Sequence, residues 1–497
     1  CPVNLWRVKN QGFEKKPFTF EQKFYFEQGQ KFELEARKFI DSSTADTSVL
    51  VEGSDSKKIS ITEALIAEDQ PVIFQASVEV DGFITISDIL IKSKDKNTWE
   101  LYEIKSSNTI KEQNLSIKSY SNHIIDLAFQ YNVMKMKGLN ISKCFIVHPD
   151  KEFDYVPDNN NFFKIEDVTD KVLIQEELVL NKMFEMKHFL EKRDIGLGCG
   201  CVYKGRGNHC DSFNYSNPGV PDYSIFDLNG VGKSKKRLTE LADSKVFDLS
   251  DLPKDDVLIT DSRRSQYNSY ISKEPIFDAK QIELEQSRLK PPIQFFDVET
   301  YHSAIPIING YHSWEKIPFQ WSLHSIKENG ELESQDFLAT STDEDPILQL
   351  AHKLFGSLDP SGSIIVWNQS FEIGILRLIS HRIPELKNKV DMALSNIFDL
   401  NPIFKNHYVD FRTRGSASLK AVTPVVLGDY TYDQLAINEG MKASIEWGRM
   451  VSPGIEEFEK EKIKQNLLDY CNQDTLATYK LLIFLRHLIK KESEVVN

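Results

Sequence analysis

Cysteine is scarce. Six residues in 497 cannot staple a chain of this size, which excludes disulfide-built secreted frameworks and makes a reducing cytoplasm the expected setting. No apolar run is long enough to cross a bilayer, so no membrane partner is expected. A signal-peptide pattern is missing from the start. The chain opens on Cys1 rather than Met, and residues upstream of it are expected. Positive charge is in deficit: 60 Lys and Arg against 74 Asp and Glu give a formal net charge of −14. That argues against a protein that grips nucleic acid through broad basic surfaces. It does not exclude a nuclease, because metal-binding carboxylates add negative charge beside a locally basic groove. Internal repeats and low-complexity tracts are absent too.

What is present suits a globular α/β protein. Hydrophobic residues make up 40% and charged residues 27%, and the length calls for two or three domains. Residues 1–215 alternate helix and strand patterns and hold Cys1, Cys144, Cys199, Cys201 and Cys210. Residues 216–290 are charged and helical, punctuated by Asn229-Gly230 and Leu252-Pro253, and read as a connector. Residues 291–497 open on a strand after Pro291-Pro292 and close on a long helix.

Carboxylates recur in that last region. Ile293 to Thr300 reads as a buried strand in which Asp297 and Glu299 share a side. With no basic neighbour in sequence, two such acids call for a cation or for solvent, and Mg²⁺ or Mn²⁺ takes oxygen ligands of this kind. The plain reading is an exposed strand end. Ser363 to Trp367 is a second strand. It hands over at Asn368 to a helix whose first turns hold Glu372, where the helix dipole favours a charged acid; a simple cap gives the same pattern. Asp399 is a spare acid nearby. Tyr470 and Asp474, four apart, share a face of the last helix, where Asp474 can ligate a metal and Tyr470 hold a water. An ordinary amphipathic helix is the plain alternative.

A second set lies near the start. Phe83 to Ile91 and Thr98 to Lys105 read as a hairpin, with a turn from Ser93 to Asn97. Glu103 and Lys105 then point one way, and Asp88 can face them from the neighbouring strand. Acids there can bind Mg²⁺ and the lysine can position water or offset phosphate charge; a solvated cross-strand ion pair is the plain alternative. Gln130 falls on the following helix, Asp126 to Met134. Of the cysteines, Cys144 and Cys471 read as core residues. Cys1, Cys199, Cys201 and Cys210 flank the hairpin region.

Together these segments resemble known nuclease families. Phe296-Asp297-Val298-Glu299-Thr300, Asn368-Gln369-Ser370-Phe371-Glu372 and Tyr470 with Asp474 resemble the three exonuclease motifs of the DEDD superfamily in their usual order. The resemblance implies an RNase H-like fold and cleavage from the 3′ end. Glu372 replaces the usual Asp. The hairpin with Asp88, Glu103 and Lys105, followed by Gln130, resembles the PD-(D/E)XK core of RecB-like nucleases. Gly29 to Glu33 resembles that family's glycine-led helix, with Glu33 where a metal-binding His is common; Met134 stands where a Tyr often follows the Gln. The four flanking cysteines resemble those of iron–sulfur RecB-like nucleases. They imply a [4Fe-4S] cluster, with structural Zn²⁺ as the alternative and the C-x-C of Cys199 and Cys201 as a departure. The overall order, with Ile317 to His324 and Leu468 to Ala477, is similar to a bacterial domain family of unknown function numbered 2779. The Ile317–His324 segment carries no evident chemistry by itself.

The expectation is therefore a metal-dependent nuclease acting on nucleic acid, DNA rather than RNA, in repair or in defence against mobile elements. Two metals about 4 Å apart would clamp the scissile phosphate without a covalent nucleophile. Two other readings stand beside it: one live site with the other domain as a DNA clamp, and a degenerate nucleic-acid-binding scaffold.

Overall fold

The hairpin around Asp88 and Glu103 belongs to a six-stranded sheet in order β1-β2-β3-β4-β5-β6. Its strands are β1 (Ser48–Leu50), β2 (Val72–Val80), β3 (Phe83–Lys92), β4 (Trp99–Ile104), β5 (Ile141–Pro149) and β6 (Phe163–Asp167). The computed structural model describes residues 1–44, 46–94, 97–107, 122–157, 159–428 and 430–496; Asp95 and Lys96, within the expected turn, lie outside the described residues. By its contacts the mixed α/β chain forms two units. One is Phe18–Arg193 with His302–Lys316; the other is Cys1–Pro17, Asp194–Tyr301 and Ile317–Asn497.

In the first unit β2, β3 and β4 pair antiparallel, and the helix Asn122–Met136 carries the chain across to β5, parallel to β4. Strand residues alternate between faces. On one face Leu90, Leu101 and Ile146 pack with Leu127 and Val133 of that helix. On the other, Ile89, Tyr102 and Ile104 pack with Phe32, Ala36 and Ile40, which lie on the helix Phe20–Ser43. Covering both faces explains strands that are apolar almost throughout. The helix bearing Glu33 does not begin at Gly29, the glycine on which the resemblance rests. It starts nine residues earlier, because Thr19 Oγ1 accepts from Gln22 N–H at 3.2 Å and Gln22 Oε1 accepts from Thr19 N–H at 3.0 Å. That reciprocal cap satisfies backbone donors that Gly29 cannot.

In the second unit a two-stranded ribbon, β7 (Ile276–Phe277) with β13 (Tyr408–Val409), accompanies a five-stranded sheet. The sheet comprises β8 (Ile293–Tyr301), β9 (Ile317–Ile326), β10 (Leu332–Leu338), β11 (Ser363–Val366) and β12 (Ile397–Asp399), in order β10-β9-β8-β11-β12. The first three strands are antiparallel; β8, β11 and β12 run parallel. Phe296 and Val298 of β8 pack with Leu350, Leu354, Leu376 and Ile379. Each such side chain contributes about 1.5–3 kcal/mol on burial. The alternate residues, Phe295, Asp297 and Glu299, belong to the opposite face. There Phe295 packs with Leu481, Leu482 and Leu485 of the closing helix Glu457–Val496.

The segment 216–290 folds as short helices and 3₁₀ turns around a small core of Phe226, Leu238, Leu241, Leu249 and Tyr267. Cys199, Cys201 and Phe213 join that core. Buried Arg7, on the helix Pro2–Gln11, donates to Ser216 Oγ and Gly196 O, both at 2.9 Å. These ties bind both ends of the expected 1–215 region to the segment beyond it, so the contact boundaries fall at 17 and 193 while the composition shift falls near 215. Arg263 fixes the same segment, donating to the carbonyls of Asn229, Gly230 and Leu258 and to Ser234 Oγ.

Candidate functional site

Asp297 and Glu299 stand on one face of β8, and the closing helix lays Tyr470 and Asp474 over that face. The strand beside β8 explains how. In the β8–β9 pairing Ser322 is opposite Asp297, Gln320 opposite Glu299 and His324 opposite Phe295. Gln320 Nε2 donates to Leu467 O at 2.8 Å. The Ser322 hydroxyl and His324 Nδ1 each lie 2.8 Å from Thr475 Oγ1. The Ile317–His324 segment thus docks the Asp474 helix against the Asp297 strand through buried hydrogen bonds.

Carboxylate oxygens of Asp297, Glu299 and Asp474 come within 4.8 Å of one another. Burial, then the Asp474 charge, pushes the Asp297 carboxyl up to about 7. Glu299 is raised well above the usual range by burial and by Asp297 and Asp474. Asp474 is raised by burial, against the opposing pull of Tyr432, Lys420 and Tyr470. Among the described residues Asp474 Oδ1 is buried with no hydrogen-bond donor at regular geometry. Three crowded acids and an orphaned oxygen fit a hard divalent cation, which supplies the positive charge that the site otherwise draws from one lysine.

Glu372 is buried in the first turn of the helix Gln369–Arg382. Its charge acts on Glu299, but it stands outside the group within 4.8 Å. Asp399 does not share its role. The Asp399 oxygens accept from the N–H groups of Gln369 at 3.3 Å and Asn401 at 3.0 Å, so it caps two helices. Asn368 makes no side-chain cap.

Three features of this site were not read from the sequence. Lys420 Nζ donates to the Tyr470 hydroxyl at 3.1 Å and lies over the Tyr432 and Tyr470 rings. It lies on the helix Leu419–Leu427, and its charge favours ionised Asp297, Glu299 and Asp474. Cys471, expected only as core, lies with its Sγ 3.5 Å from Asp297 Oδ2; burial and then the Asp297 charge hold its thiol protonated. The helix Gly440–Met450 begins at the site. A Cβ on Gly440 would lie 3.6 Å from Glu299 Oε2 and 3.8 Å from the Tyr470 hydroxyl, so the positive end of a helix faces these groups.

In the first unit the structure also gathers the expected set. Asp88 Oδ2 accepts from Ile104 N–H at 2.7 Å. Glu103 accepts from Lys105 Nζ at 2.5 Å and from Gln130 Nε2 at 2.6 Å. Lys105 also pairs with Asp126 at 2.8 Å; burial opposes its charge, but Glu103 and Asp126 outweigh burial and raise it. Asp88 is raised well above its usual range by burial, then by Glu103 and Glu33. Burial likewise raises Glu103, against Lys105. Gln75, unremarked in the sequence, donates from Nε2 to Glu33 Oε1 at 2.6 Å and to Asp88 Oδ1 at 3.2 Å.

Cys1, Cys199, Cys201 and Cys210 form the other convergence. Their sulfurs lie within 4.8 Å of one another, all four are free thiols, and Cys199 and Cys210 are 4.0 Å apart. Both members of the C-x-C pair take part. Asn217 Nδ2 donates to Cys199 Sγ at 3.2 Å, and burial pushes the Cys201 thiol up to about 11. Four converging thiols with an amide donor on one sulfur fit a thiolate-bound metal or cluster.

Comparison with known proteins gives a family match over part of the chain and no activity. A family model described as a domain of unknown function, DUF2779, matches residues 294–418; the matched stretch holds Asp297, Glu299 and Glu372 and stops short of Lys420, Tyr470 and Asp474. The chain is 27% identical over 231 residues to an uncharacterized protein of Mycoplasma genitalium, covering 41% of this chain and 33% of that one. It is 24% identical over 318 residues to an uncharacterized protein of Ureaplasma parvum, covering 58% and 44%. It therefore spans less than half the length of these relatives. No solved structure matches it.

Proposed function

We propose that this chain is a metal-dependent nuclease that hydrolyses phosphodiester bonds of nucleic acid, DNA rather than RNA, in the cytoplasm. The 3′–5′ exonuclease site is Asp297, Glu299, Glu372 and Asp474 with Tyr470, on an RNase H-like domain of the DEDD type. The observation that carries this reading is the convergence of Asp297, Glu299 and Asp474 within 4.8 Å, from a strand and a helix far apart in sequence. The five-stranded sheet, with the carboxylate strand between an antiparallel and a parallel neighbour, supports the same domain type.

Mg²⁺ or Mn²⁺, when bound there, supplies a Lewis acid at the phosphate. The chain's own residues do the rest. Asp297, Glu299 and Asp474 hold the cation, and Glu372 adds negative charge behind Glu299. Tyr470, fixed by Lys420 at 3.1 Å, orients the attacking water. Lys420 offsets charge that develops on the phosphate. The start of the helix Gly440–Met450 favours an anion beside Glu299.

Asp88, Glu103, Lys105 and Gln130, with Glu33, form a second, RecB-like nuclease site of the PD-(D/E)XK type. Cys1, Cys199, Cys201 and Cys210 hold a [4Fe-4S] cluster, with Zn²⁺ as the alternative, which ties the opening helix to the segment after residue 194. One observation favours a variant reading in which only the C-terminal site cleaves: Lys105 is engaged by both Glu103 and Asp126. Paired variants decide between them. End-labelled single- and double-stranded DNA and RNA are incubated with Mn²⁺ and with wild type, Asp297→Asn or Glu103→Gln. Loss of 3′ shortening with Asp297→Asn alone assigns that activity to the C-terminal site. Residual cleavage lost only with Glu103→Gln establishes the second site. Metal-independent binding without cleavage by any form supports a scaffold instead.

A further inference from the structure

Gln75 carries a backbone that its position in a strand does not call for. Its φ is +57°, in the left-handed region that residues with a Cβ seldom occupy. The pairing of β2 with β3 runs Phe74 opposite Ile89 and then Ala76 opposite Ser87. The register is unshifted across this level, so it sets Gln75 against Asp88. No extra residue accounts for the unusual backbone. Strain of this kind persists only where the surroundings hold it, and it gathers at ligand sites.

The strained residue holds its amide between two acids. Gln75 Nε2 is 2.6 Å from Glu33 Oε1 and 3.2 Å from Asp88 Oδ1. Glu33 is also 3.7 Å from Arg37 Nε. A second amide borders the same group of acids: Gln130 is buried, its Nε2 holds Glu103, and its Oε1 has no hydrogen-bond partner among the described residues. A buried acceptor left bare on the amide that holds Glu103 calls for a donor or a cation.

We propose that Gln75 is a neutral oxygen ligand of a divalent cation bound by Glu33 and Asp88. This rests on the reading of the first unit as a metal-dependent site. The terminal amide carries a donor and an acceptor on one carbon, nearly alike in shape. Without a cation the NH₂ bridges the carboxylates. A half-turn of the last torsion, which is soft for an amide, presents Oε1 to a cation instead. Hard cations accept amide carbonyl oxygens, and a neutral ligand adds coordination without further repulsion among Glu33, Asp88 and Glu103.

The test uses the full chain carrying Asp297→Asn and Asp474→Asn, which silence the other carboxylate site. Mn²⁺ binding is followed by electron paramagnetic resonance. This background is expected to keep one Mn²⁺ site. Adding Gln75→Leu should weaken it by about tenfold or more, the loss typical when a group supporting a metal is removed. Adding Gln75→Gly should weaken it as much while raising the melting temperature, because glycine tolerates the left-handed backbone. A Leu or Gly variant that binds Mn²⁺ as tightly as the background overturns the role of Gln75 and leaves the site reading intact. A background that binds no Mn²⁺, while the unmutated chain does, overturns the site reading and the Gln75 proposal with it.

Discussion

Lys420 donates to the Tyr470 hydroxyl at 3.1 Å, tying the cation of one helix to the phenol of another, with its charge acting on three carboxylates. Its charge also opposes that of a bound metal. Lys420→Met should therefore lower the maximal rate of strand shortening by about a hundredfold, as loss of a transition-state donor does, without weakening Mn²⁺ binding. Rate measurements and a Mn²⁺ titration on one preparation separate the effects. Parallel loss of both would assign Lys420 a structural role only.

Thr475 is the point at which β9 grips the closing helix. Replacing it with valine keeps its shape but strands the buried Ser322 hydroxyl and His324 Nδ1. Thr475→Val should cost about 1–3 kcal/mol in denaturant unfolding. Ser322→Ala added to it should cost less than the two single changes summed, because both remove one contact. Strict additivity would show that the two hydroxyls do not interact.

Proton affinity sets a pH dependence with a definite sign. Asp297 is pushed up to about 7 by burial and Asp474, against about 3.9 in an unfolded chain. A folded carboxyl that holds its proton more tightly contributes stability below the unfolded value and loses it as pH rises through the folded one. The metal-free melting temperature should thus fall between about pH 4 and pH 7, and fall less steeply in Asp297→Asn. Saturating Mn²⁺ should stabilise more at the upper end of that range, because it binds the ionised carboxylates. Identical slopes for wild type and Asp297→Asn would contradict the assignment.

The four converging thiols lead to a spectroscopic expectation. Chain purified without oxygen should show a visible absorbance shoulder, lost on oxidation and equally lost in Cys199→Ser and Cys201→Ser. Stoichiometric zinc with no iron would select the alternative metal. A variant that retains full metal content would remove its cysteine from the ligand set.

Period-two alternation was enough to place Asp297 beside Glu299, and four-residue spacing enough to pair Tyr470 with Asp474. Both are properties of one element and are visible in a string of residues. Lys420 was not visible in this way, because it reaches Tyr470 only through the packing of one helix on another. Cys471 looked like core and is core, yet its sulfur meets Asp297. Gln75 was missed because its left-handed backbone belongs to the folded sheet and has no glycine to announce it. The start of the Glu33 helix lies upstream of its glycine for a local reason: the Thr19–Gln22 cap is a stronger signal than Gly29. Ile317 to His324 was legible as a segment but not as a device, since its hydrogen bonds run to Leu467 and Thr475.

The most direct test of the account is shortening of end-labelled DNA in Mn²⁺ by wild type and by Asp297→Asn, with folding of both verified by melting. The account predicts stepwise loss of nucleotides from the 3′ end by wild type and none by a folded Asp297→Asn chain. Undiminished 3′ degradation by that variant would contradict it.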